Sequence, residues 1–486
     1  MASILRLGIL VGATALLQVA CGGTVELTNE TLNSTGGSAG AGGSAGVGGA
    51  SGQGGSAGSS AKGGAAGQAG SGGTAGKAGA AGFDCQGLVQ VGDTLEVQGD
   101  SYKSQLNPLL SFASDDGNQV ALGLMEQPDE GPSYPPVQLH IAALKSWSPW
   151  PSKSLSAPPQ APFVVGPELV RIAKGAADGQ LAVAYPGTPS PPASQPTTVF
   201  YNPAVSVDTA SSSVNNTALE SAGQTQRASF VTRAQDRWLI GHQYGFDSLW
   251  YFQLAMSAQT NPPMTLSTMV GCGTMPLVAD SIPSGGGWIF GFSSSREFGT
   301  CADDNGVVTS PDTIELGYTG GPGGGYAGLP WTAKLPGDAV RYLSMTSAGD
   351  EGGWIAYAFE GLNAEVPPPL QLVRVDAAGN QIVAPTSIVD GQELYHAPAL
   401  TSLRGQPLIV YALGGVPGPV TQLRLRLYAM DGAIDAMAEL SATGQLTGEV
   451  AALAHPINPE VMVAWSEYAG MQRRVYLAKF ACMLPD

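Results

Sequence analysis

The 486-residue sequence predicts an all-β fold, and three observations carry that expectation. Short apolar runs rich in β-branched and aromatic residues recur along the chain at strand length. Long amphipathic helical patterns are missing, and 36 prolines work against helix interiors. The runs also repeat: seven times an apolar run is followed by a variable loop and a second, alternating run.

The first runs are "QVALGLM" (Gln119–Met125), "LAVAYP" (Leu181–Pro186), "WLIGHQYG" (Trp238–Gly245), "GWIFGFSS" (Gly287–Ser294), "GWIAYAFE" (Gly353–Glu360), "PLIVYALG" (Pro407–Gly414) and "VMVAWSEY" (Val461–Tyr468). Their starts are spaced by roughly 50 to 65 residues. The partner runs begin at Val137, Thr197, Leu249, Thr313, Leu370, Thr421 and Arg473. A turn signal often precedes the first run, as in Asp116-Gly117, Asp178-Gly179, Glu351-Gly352 and Arg404-Gly405. Further upstream lie "ELVRIAKG" (Glu168–Gly175), "RASFVTRA" (Arg227–Ala234) and "VRYLSMTSA" (Val340–Ala348), so each unit reads as three clear strands and a weaker fourth.

Seven such units resemble a seven-bladed β-propeller in architecture. Tandem β-sandwiches are the alternative; they explain alternating strands but not seven equivalent positions. In the propeller reading the last unit ends soon after its third strand, and "DTLEVQGD" (Asp93–Asp100) is expected to supply the missing outer strand.

The N-terminus carries one charge, Arg6, then apolar and small residues to Ala20, too short a run to span a bilayer but of signal-peptide length. Leu17-Gln18-Val19-Ala20-Cys21-Gly22 resembles a bacterial lipobox. The resemblance implies a signal peptide over 1–20 and acylation (palmitate among the chains) at Cys21, which becomes the mature N-terminus. Several chains are needed for stable anchoring. Gly22 in place of Asp implies an outer-membrane destination, facing the periplasm or the cell surface. An ordinary secretory signal cleaved near Ala20 is the alternative. Residues 21–82 read as a disordered, low-complexity tether, since from Ser34 to Gly82 the chain is nearly all Gly, Ala and Ser and has too little apolar surface to offset the entropy of ordering. Its three "GGSAG" matches to the nucleophile-elbow pattern lack the strand and helix that pattern needs. The propeller domain is expected over 83–486.

The net charge of −17 argues against nucleic acid as a partner. Five cysteines become four once Cys21 is assigned to lipid, and an even remainder in an exported protein suggests disulfides. Three connectivities are open. A closed ring makes Cys85–Cys482 with Cys272–Cys301 the expected pair of bonds, the first tying the ends of the ring and the second stapling the connection into the fourth blade to a loop of that blade. No C-x-x-C pair occurs and only four histidines are spread along the chain, so neither metal nor cofactor is expected. His140, His242, His396 and His455 each sit in or beside a strand run and read as structural.

Loops between second and third strands are the candidate ligand face, because loops on a rigid scaffold carry function. They contain the candidate residues Glu126, Tyr185, Arg296, Asp303 and Asp304. "CADDNG" (Cys301–Gly306) keeps only part of a calcium-loop pattern and reads as a hairpin turn. "SAGDEGGW" (Ser347–Trp354) resembles the Asp box of sialidase-like propellers, with altered spacing, and implies a structural turn. The sialidase Arg-Ile-Pro signature is absent; "RIAK" at Arg171 does not match it. No local motif singles out the carboxylate pair a glycosidase needs. Catalytic residues are therefore left unassigned. The expected role is binding or scaffolding of a protein, peptide or glycan, with a glycan hydrolase or lyase using the central channel as the rival.

Overall fold

The computed structural model describes residues 84–485, except 98–102, 113, 115, 118, 129–137, 146–154, 157–170, 175–179, 185–200, 207–214, 218–224, 236, 247–248, 259–265, 300–307, 321–325, 350–351, 362–368, 390–393 and 415–419. The expected signal segment and tether lie outside the described residues.

The strands form seven antiparallel sheets of four. In chain order, β1 (Gly87–Glu96) precedes blade 1, which comprises β2 (Lys103–Phe112), β3 (Gln119–Pro128), β4 (Gln138–Lys145) and β5 (Leu155–Ser156). Blade 2 comprises β6 (Arg171–Lys174), β7 (Gln180–Ala184), β8 (Tyr201–Ser206) and β9 (Asn215–Thr217). Blade 3 comprises β10 (Thr225–Ala234), β11 (Arg237–Phe246), β12 (Leu249–Ala258) and β13 (Leu266–Gly273). Blade 4 comprises β14 (Ala279–Ser284), β15 (Gly287–Ser294), β16 (Thr313–Thr319) and β17 (Tyr326–Lys334). Blade 5 comprises β18 (Asp338–Ser347), β19 (Gly353–Gly361), β20 (Gln371–Val375) and β21 (Gln381–Ser387). Blade 6 comprises β22 (Leu394–Leu403), β23 (Gln406–Gly414), β24 (Gln422–Tyr428) and β25 (Ile434–Ser441). Blade 7 comprises β26 (Gln445–Ala454), β27 (Glu460–Ala469) and β28 (Gln472–Met483), with β1 as its fourth strand.

All seven first runs fall on second strands, and all seven partner runs on third strands. The first strand of each blade touches the first strands of its two neighbours, and β26 touches β2, so the ring closes. Tandem sandwiches have no such closure. The fold is a seven-bladed β-propeller.

Burial follows radial position. In β15 every residue is buried, and β19, β23 and β27 are buried over most of their length. Such strands lie between two neighbouring blades, which explains their continuous apolar sequences. Fourth strands such as β21 alternate little and stay mostly exposed. Trp238, Trp288 and Trp354 are each the second residue of a second strand and are buried between blades.

Ring closure differs in register from the sequence expectation. The outer strand of blade 7 is Gly87–Glu96 rather than Asp93–Asp100, and it runs from Gly87 opposite Met483 to Glu96 opposite Tyr476. Pairing begins that early because the Cys85–Cys482 disulfide fixes the start of β1, with Cα atoms 5.5 Å apart. Gln105, fully buried on β2, adds a second clasp. Its Oε1 accepts from the Val475 N–H at 3.0 Å and its Nε2 donates to the Val97 carbonyl at 3.3 Å. The Ser466 hydroxyl donates to the Gln105 carbonyl at 3.3 Å.

Five first strands carry a register shift against their second strand, in blades 1, 3, 5, 6 and 7. An extra residue in a bulge re-aims a side chain and ends regular pairing. In a first strand the free edge borders the central axis, so bulges there shape the channel wall.

Candidate functional site

An axial cavity of about 630 Å³ is walled by the first strands of blades 1, 2, 5, 6 and 7. Leu109, Leu110, Ile172, Leu400, Val450 and Ala451 are among the residues lining it, and polar atoms make up about as much of the wall as apolar ones. Polar character comes chiefly from Asn107, Arg171, Arg341, Tyr342, Ser344 and Glu360. A cavity of this size with placed polar groups has the character of a ligand site.

Each arginine is set by the backbone around it. Arg341 is the extra residue of the bulge between Val340 and Tyr342, which turns it out of the ladder. Its Nε lies 3.2 Å from Glu360 Oε2, and its side chain is 68% exposed. Arg171, on β6, donates from Nε to the Ser229 carbonyl at 3.0 Å. Ser229 is itself the extra residue of the β10 bulge, between Ala228 and Phe230. Asn107 holds a left-handed φ of 44°, and its N–H donates to Glu449 Oε2 at 2.8 Å. Asn tolerates that conformation better than most residues.

Beside the wall, Asp280 on β14 is half-buried. It accepts from the Met345 N–H at 2.7 Å, the Ser344 hydroxyl at 3.1 Å and the Ser281 N–H at 2.8 Å. Burial raises its pKa; those three donors and the Arg171 charge pull the other way. Asp280 thus clips blade 4 to blade 5.

A second cavity, about 360 Å³, opens near the turns between first and second strands and shares Ile172 with the first. It is lined by Phe112, Val231, Arg233 and Pro456, among others. Here Ser114 Oγ donates to Asp116 Oδ1 at 2.5 Å, and His455 Nδ1 accepts the N–H groups of Ile457 and Asn458 at 3.0 and 2.9 Å. A ring nitrogen that accepts two backbone protons is fixed in a turn, so this Ser/Asp/His grouping is not a nucleophile with its base. Burial lowers the His455 pKa, against the pull of Glu460 and Asp116. His242 is equally structural: its Nε2 lies 3.0 Å from Gln253 Oε1, and burial pushes its pKa down to about 4.

Of the candidate ligand-face residues from the sequence, the structure describes Arg296 and the strand position of Glu126. Glu126 lies within β3, opposite Gln105 and Gln138, rather than in the loop that follows. Arg296 is half-buried just after β15, and its N–H donates to Ser294 Oγ at 3.2 Å. Tyr185, Asp303, Asp304, Cys301 and Cys21 lie outside the described residues. Cys272 is buried within β13, the last strand of blade 3, rather than in the connection beyond it. It is disulfide-bonded; Cys301, its expected partner, is outside the described residues. The Asp-box-like stretch is the first turn of blade 5, where the Gly349 N–H donates to Ser347 Oγ at 3.2 Å and Trp354 Nε1 donates to the Gly405 carbonyl of blade 6 at 2.9 Å. Arg341 and Glu360 escaped the sequence reading. Their signal was a charge inside an innermost-strand run, "VRYLSMTSA", where an aliphatic residue would otherwise serve.

The molecule is therefore a closed seven-bladed propeller with an axial cavity of mixed apolar and polar lining that includes two guanidinium groups. No known family profile matches the chain, and no curated protein matches it. Several solved structures are similar. A protein of unknown function from Dyadobacter fermentans aligns over 82% of this chain and 100% of its own, at 12% identity and a TM-score of 0.45. A polysaccharide lyase of family PL25, an ulvan lyase, aligns over 79% and 95%, at 11% identity and a TM-score of 0.48. The β-propeller domain of the Trilobed protease from Pyrococcus furiosus aligns over 78% and 94%, at 10% identity and a TM-score of 0.40.

Proposed function

We propose that this protein is an exported binding module, anchored through a lipidated Cys21 to an outer membrane, that receives a segment of a protein, peptide or glycan at the mouth of its axial cavity. The observation that carries the binding reading is the chemistry of the wall. Among the described cavity-lining residues the only carboxylate is Glu360, and it is engaged by Arg341 at 3.2 Å. Glycoside hydrolysis works with two carboxylates held about 5 to 9.5 Å apart across the scissile bond. A cup of mixed apolar and polar lining, with its one described carboxylate held in an ion pair, suits retention of a ligand better than proton transfer to one.

The test uses the tetherless domain Phe83–Asp486 in a glycan array and in pull-downs from envelope extract, beside a panel of polysaccharides checked for cleavage. Saturable binding that is blocked by Ala451→Trp, which fills the cavity wall, supports the reading. Cleavage of any polysaccharide overturns it. Anchoring is tested separately: labelled palmitate should enter the full chain and not Cys21→Ser, and the variant should leave the membrane fraction.

A further inference from the structure

We infer that the axial cavity recognises a carboxylate carried on a peptide segment with aliphatic neighbours, and that Arg341 is the residue that holds it. This rests on the cavity being the binding site, as proposed above, and adds the chemistry of the ligand.

Arg341 is presented rather than merely exposed. The bulge between Val340 and Tyr342 removes it from the strand ladder and turns it toward the axis. The Nε–Glu360 contact at 3.2 Å orients one edge of the guanidinium group. That contact occupies one edge of the group, and among the described residues no protein partner meets its two terminal nitrogens. A guanidinium whose terminal N–H groups are free and whose other edge is already oriented matches the two oxygens of a carboxylate bidentately. Pre-orientation by Glu360 also removes part of the side-chain entropy that binding would otherwise cost.

The remainder of the wall chooses the rest of the ligand. Pro108, Leu109, Leu110 and Ile172 on one side and Pro398, Leu400 and Val450 on another present aliphatic surface to the cavity. An aliphatic side chain beside the carboxylate gains about 25 cal/mol for each Å² it removes from water. Tyr342 is the one aromatic residue in the lining described. The second guanidinium, Arg171, is anchored to the Ser229 carbonyl and balanced by Asp280, so it is a secondary attraction. In a chain of net charge −17, an acidic ligand is drawn in only by these local groups.

The experiment probes the tetherless domain with an immobilised set of pentapeptides. Their central residue is Glu, Gln or Lys and their flanks are Leu, Val, Ile or Ala; tri-galacturonate and maltotriose serve as glycan probes. Glu-centred peptides are expected to bind at least tenfold more tightly than their Gln counterparts. Arg341→Gln should erase that preference, Arg341→Lys should retain part of it, and circular dichroism should be unchanged in both. Equal binding of Glu and Gln peptides, absence of peptide binding, or a preference that survives Arg341→Gln overturns the inference. Tri-galacturonate binding that Ala451→Trp blocks, without peptide binding, overturns the peptide inference while leaving the cavity as the binding site. Peptide binding that Ala451→Trp does not block overturns the cavity reading itself.

Discussion

Removing the Cys85–Cys482 bond tests how the ring is held. The two cysteines are 397 residues apart in sequence, and for a loop of that length the chain-entropy relation gives about 6 kcal/mol of denatured-state destabilisation. Native cystines commonly deliver less, about 2–5 kcal/mol, because the reduced denatured chain is not a free coil. The native ring is expected to stay closed without the bond. Strand β1 remains paired to β28 from Gly87 to Glu96, and Gln105 still bridges Val97 and Val475. The effect therefore falls on the unfolded state. Urea unfolding of Phe83–Asp486 is expected to show Cys85→Ala/Cys482→Ala less stable by about 4 kcal/mol, with a steeper urea dependence because its denatured state is more open. For a domain of roughly 400 residues that loss lowers Tm by about 5 °C. A loss under about 1 kcal/mol would refute the reasoning and mean that strand pairing alone confines the ends.

Two further perturbations follow from buried groups. Gln105→Ala orphans the Val475 N–H and the Val97 carbonyl and leaves a cavity, so a loss of about 3 kcal/mol is expected in the same urea assay; a neutral result would show that water replaces the amide. His242 is buried neutral, with its pKa lowered from 6.5 to about 4. The unfolded chain binds its proton first on acidification, so its contribution is complete above pH 6.5 and is lost as pH falls toward 4, by about 3 kcal/mol in all. Glu315 works oppositely: burial first, and then Glu297, raise its pKa from 4.5 to about 6. The folded state there holds the proton longer, so its contribution is present below pH 4.5 and lost as pH rises through 6. Tm-versus-pH profiles should therefore flatten on the acid side in His242→Gln and lose their decline toward pH 6 in Glu315→Gln; unchanged profiles would count against both assignments.

How much of this was legible in the sequence depended on where each strand lies along the radius. Second strands such as "GWIFGFSS" announce themselves because both faces are covered by neighbouring blades. Fourth strands are faint because one side meets water: β9 is only Asn215–Thr217, and β21 is mostly exposed. First strands are weak in the sequence for a different reason. Pro108, Pro283 and Pro398 lie inside β2, β14 and β22, positions that read as strand breakers. A first strand, however, has one free edge toward the axis, where a missing N–H breaks no ladder. The same edge carries the bulges that aim Arg341 and offer the Ser229 carbonyl to Arg171. The cavity was illegible for a related reason. Its polar residues come from separate blades, and each alone resembles an ordinary strand residue.

The two ends of the channel are not equivalent, and the difference favours one of them for ligand entry. At the end bearing the turns between first and second strands, the blades are tied to one another. Arg237 donates to the Gly286 carbonyl at 2.8 Å, Trp288 Nε1 to Thr232 at 3.0 Å, and Arg404 to Ile457 at 2.9 Å. Pro456 packs so closely on Gly117, where φ is 73°, that a Cβ there would lie 2.5 Å from its ring. These contacts commit side chains and carbonyls to neighbouring blades and leave few groups for a ligand. At the opposite end Glu360 stands next to the last residue of β19, where the chain enters the loop between second and third strands. The Arg341–Glu360 pair thus marks the cavity mouth on the same side as the loops that vary most in sequence. The clasped end thus serves stability, and under the binding proposal the Arg341–Glu360 end is the one left for recognition.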